Sequence, residues 1–337
     1  ELFLDMAWDI NLSGCKDGSG VVFSHLGNWL NQTFGKKTGK ELLPLMKDFY
    51  LLSHIRKPEF MGNTRTYDKR HEQIADLPWS TEEINERLEQ FKKLSDRVEK
   101  LYATVPSNRK EAYFEMIQYP VQASNEMNKK MLYAQFARHT PSDSASLWKK
   151  SDAAYDSIVS LTRQFNSLLD GKWNHIISTA PRGLPVFGKV KHTASSMALV
   201  SSPAPLQSWN GTEHDAVTGV HTVIDGLGHS GKAIYLGKGG TVEYEYRNFR
   251  KDSLTVEVCL VPTHAVEGGK LRFAVSTDDR EPQVFDCETA EYSEEWKVNI
   301  LRAQAVKTAR FPSGSRKGRI KITALDEGVV IDQIRLR

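Results

Sequence analysis

Apolar residues recur every three or four positions through the first half of the chain and every second position through much of the last third. The first period belongs to helices that bury one stripe, the second to strands that bury one face. Val22, Phe23, Leu26, Trp29, Leu30 and Phe34 predict a helix over 21–34 that stops at Gly35. Leu42, Met46, Phe49 and Leu52 predict another over 40–55. The clearest start is Ser80, whose hydroxyl can cap the first turn while Glu83 reaches back. Trp79 and Ile84 stand at the staple positions of that capping box. Ile84, Leu88, Phe91, Leu94, Val98 and Leu101 then share a face until Pro106. A fourth helix is predicted over 108–139, with Met116, Ile117, Met127, Met131 and Phe136 inward and a kink at Pro120. A fifth spans Ser144 to Leu169, with Leu147, Tyr155, Ile158, Phe165 and Leu169 inward and a stop at Asp170-Gly171.

After about residue 185 the pattern changes. Of the 23 glycines, 8 lie in the first 182 residues and 15 in the remaining 155. Residues 241–246, 254–260 and 319–323 alternate, with Ile320 and Ile322 on one face and Arg319, Lys321 and Thr323 on the other. Such alternation marks antiparallel sheet wetted on one side. Turns at Glu267-Gly-Gly269 and Ser276-Thr-Asp-Asp279 separate short strands. The expected fold class is α+β and multidomain: an all-α bundle of about five helices over 1–182, a Pro-rich linker over 183–205, and an antiparallel β-sandwich or jelly roll over 206–337.

Composition narrows the function. A net charge of +3 over 337 residues offers no electrostatic reason to expect nucleic acid or an acidic membrane surface. No run reaches the roughly 18–20 apolar residues of a membrane helix. Cys15, Cys259 and Cys287 are far apart, with no Cys/His spacing for a metal, so no metal or cofactor is expected. Cys259 and Cys287 pair only if their strands adjoin; free buried thiols are the commoner outcome. The opening Glu-Leu-Phe-Leu-Asp-Met-Ala-Trp lacks an initiator Met and a signal-peptide pattern, and is expected to be a cut from something longer.

Four stretches carry a family pattern: Phe3-Leu-Asp-Met-Ala-Trp8, Ser53-His-Ile-Arg-Lys-Pro-Glu59, residues 111–124, and Trp173 through Pro181-Arg-Gly-Leu-Pro-Val-Phe187. Gly226-Leu-Gly-His-Ser-Gly231, residues 271–279 and Asp326-Glu-Gly-Val-Val330 add to it in the β part. Together they resemble the segment of glycoside hydrolase family 115 that follows the catalytic barrel. The resemblance implies a parent that removes glucuronic acid, or its 4-O-methyl ether, from α-1,2 linkages on xylan with inversion. Inversion needs two carboxyl groups about 6.5–9.5 Å apart. In the family these sit on the barrel, and this chain lacks the strand–helix alternation of a barrel. Phe3–Trp8 is expected at the barrel's exit, with the catalytic carboxylates upstream, so no catalytic residue is assigned here. The resemblance further implies secretion or a periplasmic location, the barrel part of the same enzyme as partner and a xylan-type polysaccharide as ligand; the sandwich is expected to shape either the substrate cleft or a homodimer contact, and the sequence leaves the oligomeric state open.

Several motifs are decoys on the same reading. Gly226-x-Gly-x-x-Gly231 matches a dinucleotide fingerprint, but Lys232-Ala-Ile-Tyr-Leu236 after it reads as a strand where a helix is required. Gly228-His-Ser-Gly231 falls one residue short of a nucleophile elbow, and His71-Glu72 lacks a second zincin histidine. Candidate substrate or interdomain contacts are Arg56, Lys57 and Glu59 around Pro58, Glu115 near Glu111 and Gln118, and Trp209. Arg56 or Lys57 suits a uronate carboxylate through charge-assisted bonds, or a structural salt bridge to the barrel. The Glu111–Gln118 face reads more simply as solvated or interdomain. Trp209 and Trp296 suit stacking on a sugar, or a place in the core. Trp209 lies in a Gly/Ser/Pro-rich stretch expected as a loop, where it either meets sugar or seals the two domains. Asn31-Gln-Thr33 and Asn210-Gly-Thr212 match the glycosylation sequon. The leading function is the accessory half of a glycosidase; the alternatives are a stand-alone carbohydrate-binding or adhesion module and an enzyme with an unrecognised site.

Overall fold

The computed structural model describes residues 2–9, 18–62, 74–195, 197–247, 249, 252–278, 280–290, 293–312 and 316–337. Cys15, His71, Glu72 and Asp279 lie outside the described residues. The chain divides into two compact units, Glu1–Ser202 and Pro203–Arg337.

The first unit is helical: α1 (Leu2–Trp8), α2 (Gly18–Phe34), α3 (Lys36–Ile55), α4 (Thr81–Tyr102), α5 (Lys110–Tyr113), α6 (Tyr119–His139) and α7 (Ser144–Asn166). The expected five spans each contain helix, but the count is higher. Leu2–Trp8 adds a short helix, and the span 108–139 is broken. Its break is a π turn, Phe114–Gln118, directly before Pro120. Pro120 brings no amide hydrogen, and its ring collides with a carbonyl four residues back; a wider turn absorbs both. Met116, expected inward, is exposed.

Capping sets the start of α4 as the spacing predicts. Glu83 N donates to Ser80 Oγ at 3.2 Å, and Ser80 N donates to Glu83 Oε2 at 2.7 Å. Trp79 and Ile84 are both buried. A single residue, Gly35 at φ 88°, separates α2 from α3. The two helices approach so closely that a Cβ at Gly39 would stand 2.6 Å from Asn31 N. At the far end, α7 stops at Asn166, three residues before the expected Leu169. Leu169 and Asp170 turn left-handed at φ 51° and 55°, and Leu169 is exposed.

Two apolar clusters fill this unit. One joins Leu30, Leu42, Phe91, Val98 and Ile117; the other joins Trp79, Ile84, Met131, Trp148, Val186 and Val190. The second cluster shows that residues 183–202, expected as linker, belong to the helical unit. Wholly buried Lys130 holds them by donating from Nζ to Val186 O at 2.7 Å and Gly188 O at 2.9 Å. Thr81 N to Val200 O, and Ser201 Oγ and Ser202 N to Glu82, tie down the rest.

The second unit has eleven strands: β1 (Gln207–Asn210), β2 (Ala216–Thr218), β3 (His221–Asp225), β4 (Lys232–Leu236), β5 (Thr241–Tyr246), β6 (Ser253–Leu260), β7 (Arg272–Thr277), β8 (Gln283–Asp286), β9 (Ala305–Pro312), β10 (Gly318–Ala324) and β11 (Val329–Leu336). One antiparallel sheet runs β3-β4-β11-β6-β9, with β1 beside β11; the other runs β2-β5-β10-β7-β8. Inward residues of both, such as Val258, Ile331 and Ile334 from one and Tyr244, Val275 and Ile320 from the other, share one core. A helix unforeseen in the sequence, α8 (Glu294–Arg302), precedes β9. Ser293 Oγ caps it by accepting from Trp296 N at 3.1 Å. Cys259 and Cys287 are both free and buried, on β6 of one sheet and just past β8 of the other. Burial pushes both thiols up to about 12.

Candidate functional site

Arg56 ends α3 in extended conformation and turns inward, whereas Lys57 and Glu59 on the next turn are exposed. The three candidates therefore do not form one cluster. Arg56 Nη2 donates to Phe60 O and its guanidinium lies over the Trp79 ring, 5.8 Å from the centroid. Arg87, from α4, packs against the same indole at 5.2 Å and against Phe91 at 4.9 Å. Its three nitrogens donate to Asn128 Oδ1 at 2.6 Å, Leu52 O at 3.2 Å and Arg56 O at 3.2 Å. Burial lowers both guanidinium groups to about 9, and the neighbouring Arg56 charge adds to the effect on Arg87. Both stay cationic at neutral pH. The gap they border with Ser53, Ser124 and Asn128 holds about 10 Å³, room for one water at most. This corner locks α3 to α4 and α6, and a sugar ring does not fit it.

Glu115 lies in the π turn, half-buried, and Glu111 is exposed. Neither joins an ion pair among the described residues. Trp209 is placed differently from expectation: it sits in strand β1, opposite Ile334, and packs half-buried on the β core with Tyr244 at 6.1 Å. Alternation was hard to see in a strand of four residues.

An open cleft of about 630 Å³ lies at the end of α7. Val159, Thr162, Arg163, Asn166 and Ser167 line it from the helix, and residues 174–179 of the following irregular segment close the other side. The helix exit and a left-handed His175 at φ 68° bend that segment back over α7. Asn166 Nδ2 holds it by donating to Ile177 O at 3.1 Å. None of these residues was singled out for chemistry from the sequence, although Trp173–Phe187 carries part of the family pattern.

In the β unit, the Gly226–Gly231 motif wraps a buried carboxylate. Asp332 is wholly buried at a register shift in β11; its Oδ1 accepts from His229 N at 2.9 Å and its Oδ2 from Gln304 Nε2 at 2.6 Å. Gly226, Gly228 and Gly231 all have positive φ, and β4 follows. The motif is a tight turn with no helix behind it, so the nucleotide geometry is absent. Among the described residues no group of three or more His, Cys, Asp or Glu is placed to hold a metal, and no helix is long and apolar enough to cross a membrane.

Residues 213–337 match the glycosyl hydrolase family 115 C-terminal domain. A solved structure of a family GH115 4-O-methyl-α-glucuronidase, described as having specificity for decorated arabinogalactans, is 44% identical over 99% of this chain with a TM-score of 0.83. The chain spans 43% of that enzyme's length. An exo-β-1,3-galactanase from Phanerochaete chrysosporium is 17% identical over 39% of this chain and 29% of its own, at TM-score 0.31. A family 35 carbohydrate-binding module from Clostridium thermocellum is 10% identical over 39% of this chain and 98% of its own, at 0.30. Likenesses that weak carry no functional argument. No match is found among curated proteins. Residues 213–337 thus carry the C-terminal domain of a family 115 glycoside hydrolase, on a chain similar throughout to a 4-O-methyl-α-glucuronidase of that family.

Proposed function

We propose that this chain is the C-terminal part of an inverting α-glucuronidase, with a helical unit and a β-sandwich that serve a catalytic barrel elsewhere in the same enzyme. The observation that carries this reading is the 44% identity over 99% of the chain, because it includes the helical unit outside the family-domain match. The described strands form two antiparallel sheets and show no strand–helix alternation of a barrel, which favours an accessory role over catalysis by this chain. Phe3, Leu4 and Trp8 expose apolar surface along α1, which suits a face covered by another part of the enzyme. On this reading the enzyme is secreted or periplasmic, uses its β-sandwich at the substrate cleft or at a homodimer contact, and removes (4-O-methyl)glucuronic acid from α-1,2 linkages on xylan. A second substrate reading, decorated arabinogalactan, is favoured by the specificity stated for the similar enzyme.

The test compares the chain alone with the polypeptide that joins it to a family 115 barrel, measuring glucuronic acid released from glucuronoxylan and from decorated arabinogalactan. The chain alone should release none, and the joined enzyme should favour one polymer. Release by the chain alone, abolished by a point substitution within it, would overturn the accessory role and leave an independent enzyme.

A further inference from the structure

We propose that His139 is a proton-dependent latch on the strap formed by residues 183–202, a role independent of the glycosidase reading above. Both of its ring nitrogens face acceptors: Nδ1 meets the backbone carbonyl of Met197, and Nε2 meets Asp76 Oδ2 at 2.5 Å. A neutral imidazole carries one N–H and can serve only one of them; serving both takes a second proton. Arg138 fixes the carboxylate in place by donating to its other oxygen, Oδ1, from Nε at 2.8 Å and from Nη2. A proton shared with Oδ2 leaves the count unchanged, because the latched pair still holds one proton more than a neutral histidine beside a carboxylate. The His139 side chain is only 7% exposed, so little water reaches it to replace a lost bond.

The contact lies near the end of the helical unit, which stops at Ser202. Ser195 N donates to Arg138 O at 2.9 Å and Met197 N to Ser195 Oγ at 3.2 Å, so the last turn of α6 meets the strap through polar bonds. The Met197 side chain is exposed and adds no apolar anchor. Releasing its carbonyl leaves the approach to the β unit resting on the contacts of Val200, Ser201 and Ser202 with the start of α4. Among the described residues, the ionisable groups bonded to the latch are Asp76 and, through it, Arg138. The strap's own Lys189 and His192 both pair with Asp152 on α7, at 3.2 and 3.3 Å. Lys130 grips the start of the strap, and burial lowers its amine to about 7, so its contribution grows as pH rises above that value. The latch works in the opposite sense. Two bonds are made while the extra proton is present, and one is lost as pH rises and the proton leaves.

The test follows amide exchange in the chain, corrected for the intrinsic effect of pH on exchange and read against the interior of α4. Protection at Ser195 and Met197 is expected to fall about tenfold between about pH 5.5 and 8.5. His139→Gln has no proton to lose, so its protection at these amides should be the same at both pH values. His192→Gln removes the contact with Asp152 and should keep the parent's dependence. No fall in the parent, an equal fall in His139→Gln, or its disappearance in His192→Gln would overturn the latch. Should the His139 variant fail to fold, nitrogen-15 spectra of the parent's ring decide. Loss of one ring proton from His139 that tracks the fall in protection is the expected result. A ring that keeps a single proton throughout, or that titrates with no change at Ser195 and Met197, would overturn the proposal.

Discussion

Gly228 stands where a side chain would strike Asp332: a Cβ there would lie 2.2 Å from Asp332 Oδ1. The turn brings the next amide, His229 N, onto the same oxygen at 2.9 Å. A carboxylate with no exposure needs such donors, since burying one without hydrogen bonds costs several kcal/mol. The absent side chain is therefore a condition for satisfying the buried charge.

Gly228→Ala should destabilise the β unit by about 2–3 kcal/mol, combining a left-handed alanine with a displaced carboxylate. Gly226, also at positive φ, has open space around its Cβ position. Gly226→Ala should cost only about 1 kcal/mol. Urea denaturation of the two variants checks the difference; equal losses would mean that strain alone, and not Asp332, explains the glycine.

The placement of Arg56 and Lys57 separates two roles. Arg56→Ala removes a buried guanidinium from Trp79 and Phe60 O and leaves a gap in the corner, and a loss of about 1–3 kcal/mol is expected. Lys57→Ala should stay within about 0.5 kcal/mol of the parent. If thermal melts show both changes to be neutral, the corner is not the lock between α3, α4 and α6 described above.

Ser80→Ala removes the side-chain half of the capping box and should cost about 1 kcal/mol. Loss of helicity is expected at the first turn of α4, read by faster amide exchange at Glu83.

Lys130 gives the helical unit a pH dependence. Burial lowers its amine from 10.5 to about 7 in the folded chain, while the unfolded chain keeps the ordinary value. Between those two values the unfolded state holds a proton that the folded state lacks, so its contribution to stability falls as pH drops from about 10 to 7 and levels off below. A tenfold change in proton affinity is about 1.4 kcal/mol, so the shift from 10.5 to about 7 amounts to about 5 kcal/mol over the whole window. Lys130→Met should flatten the profile even where the lost bonds to Val186 O and Gly188 O lower its overall level. An unchanged slope in denaturation at pH 7, 8.5 and 10 would show that Lys130 remains charged when folded.

Local chemistry made much of the fold legible. Ser80 and Glu83 cap a helix through atoms three residues apart, and Thr241–Tyr246 shows its buried face as a simple alternation. Signals of this kind need no knowledge of the rest of the chain. Even the π turn was half visible, because Pro120 announces that a regular helix must yield there, though not in which geometry. Short-range pattern alone shows where the period changes from helical to extended, which glycines punctuate turns, and which family pattern the chain carries. Tertiary structure decided the remainder. Arg56 and Lys57 are neighbours with similar charge, and only packing against Trp79 sends one inward and leaves the other in water. Residues 183–202 look like linker because proline and serine dominate them, yet Lys130, 56 positions from Val186, holds them to the bundle. Thr162 and Asn166 read as ordinary helical positions until a left-handed exit folds residues 174–179 back over them. Contacts between residues far apart in sequence leave no periodic trace, because each depends on the shape and charge of a partner that only the folded chain brings near.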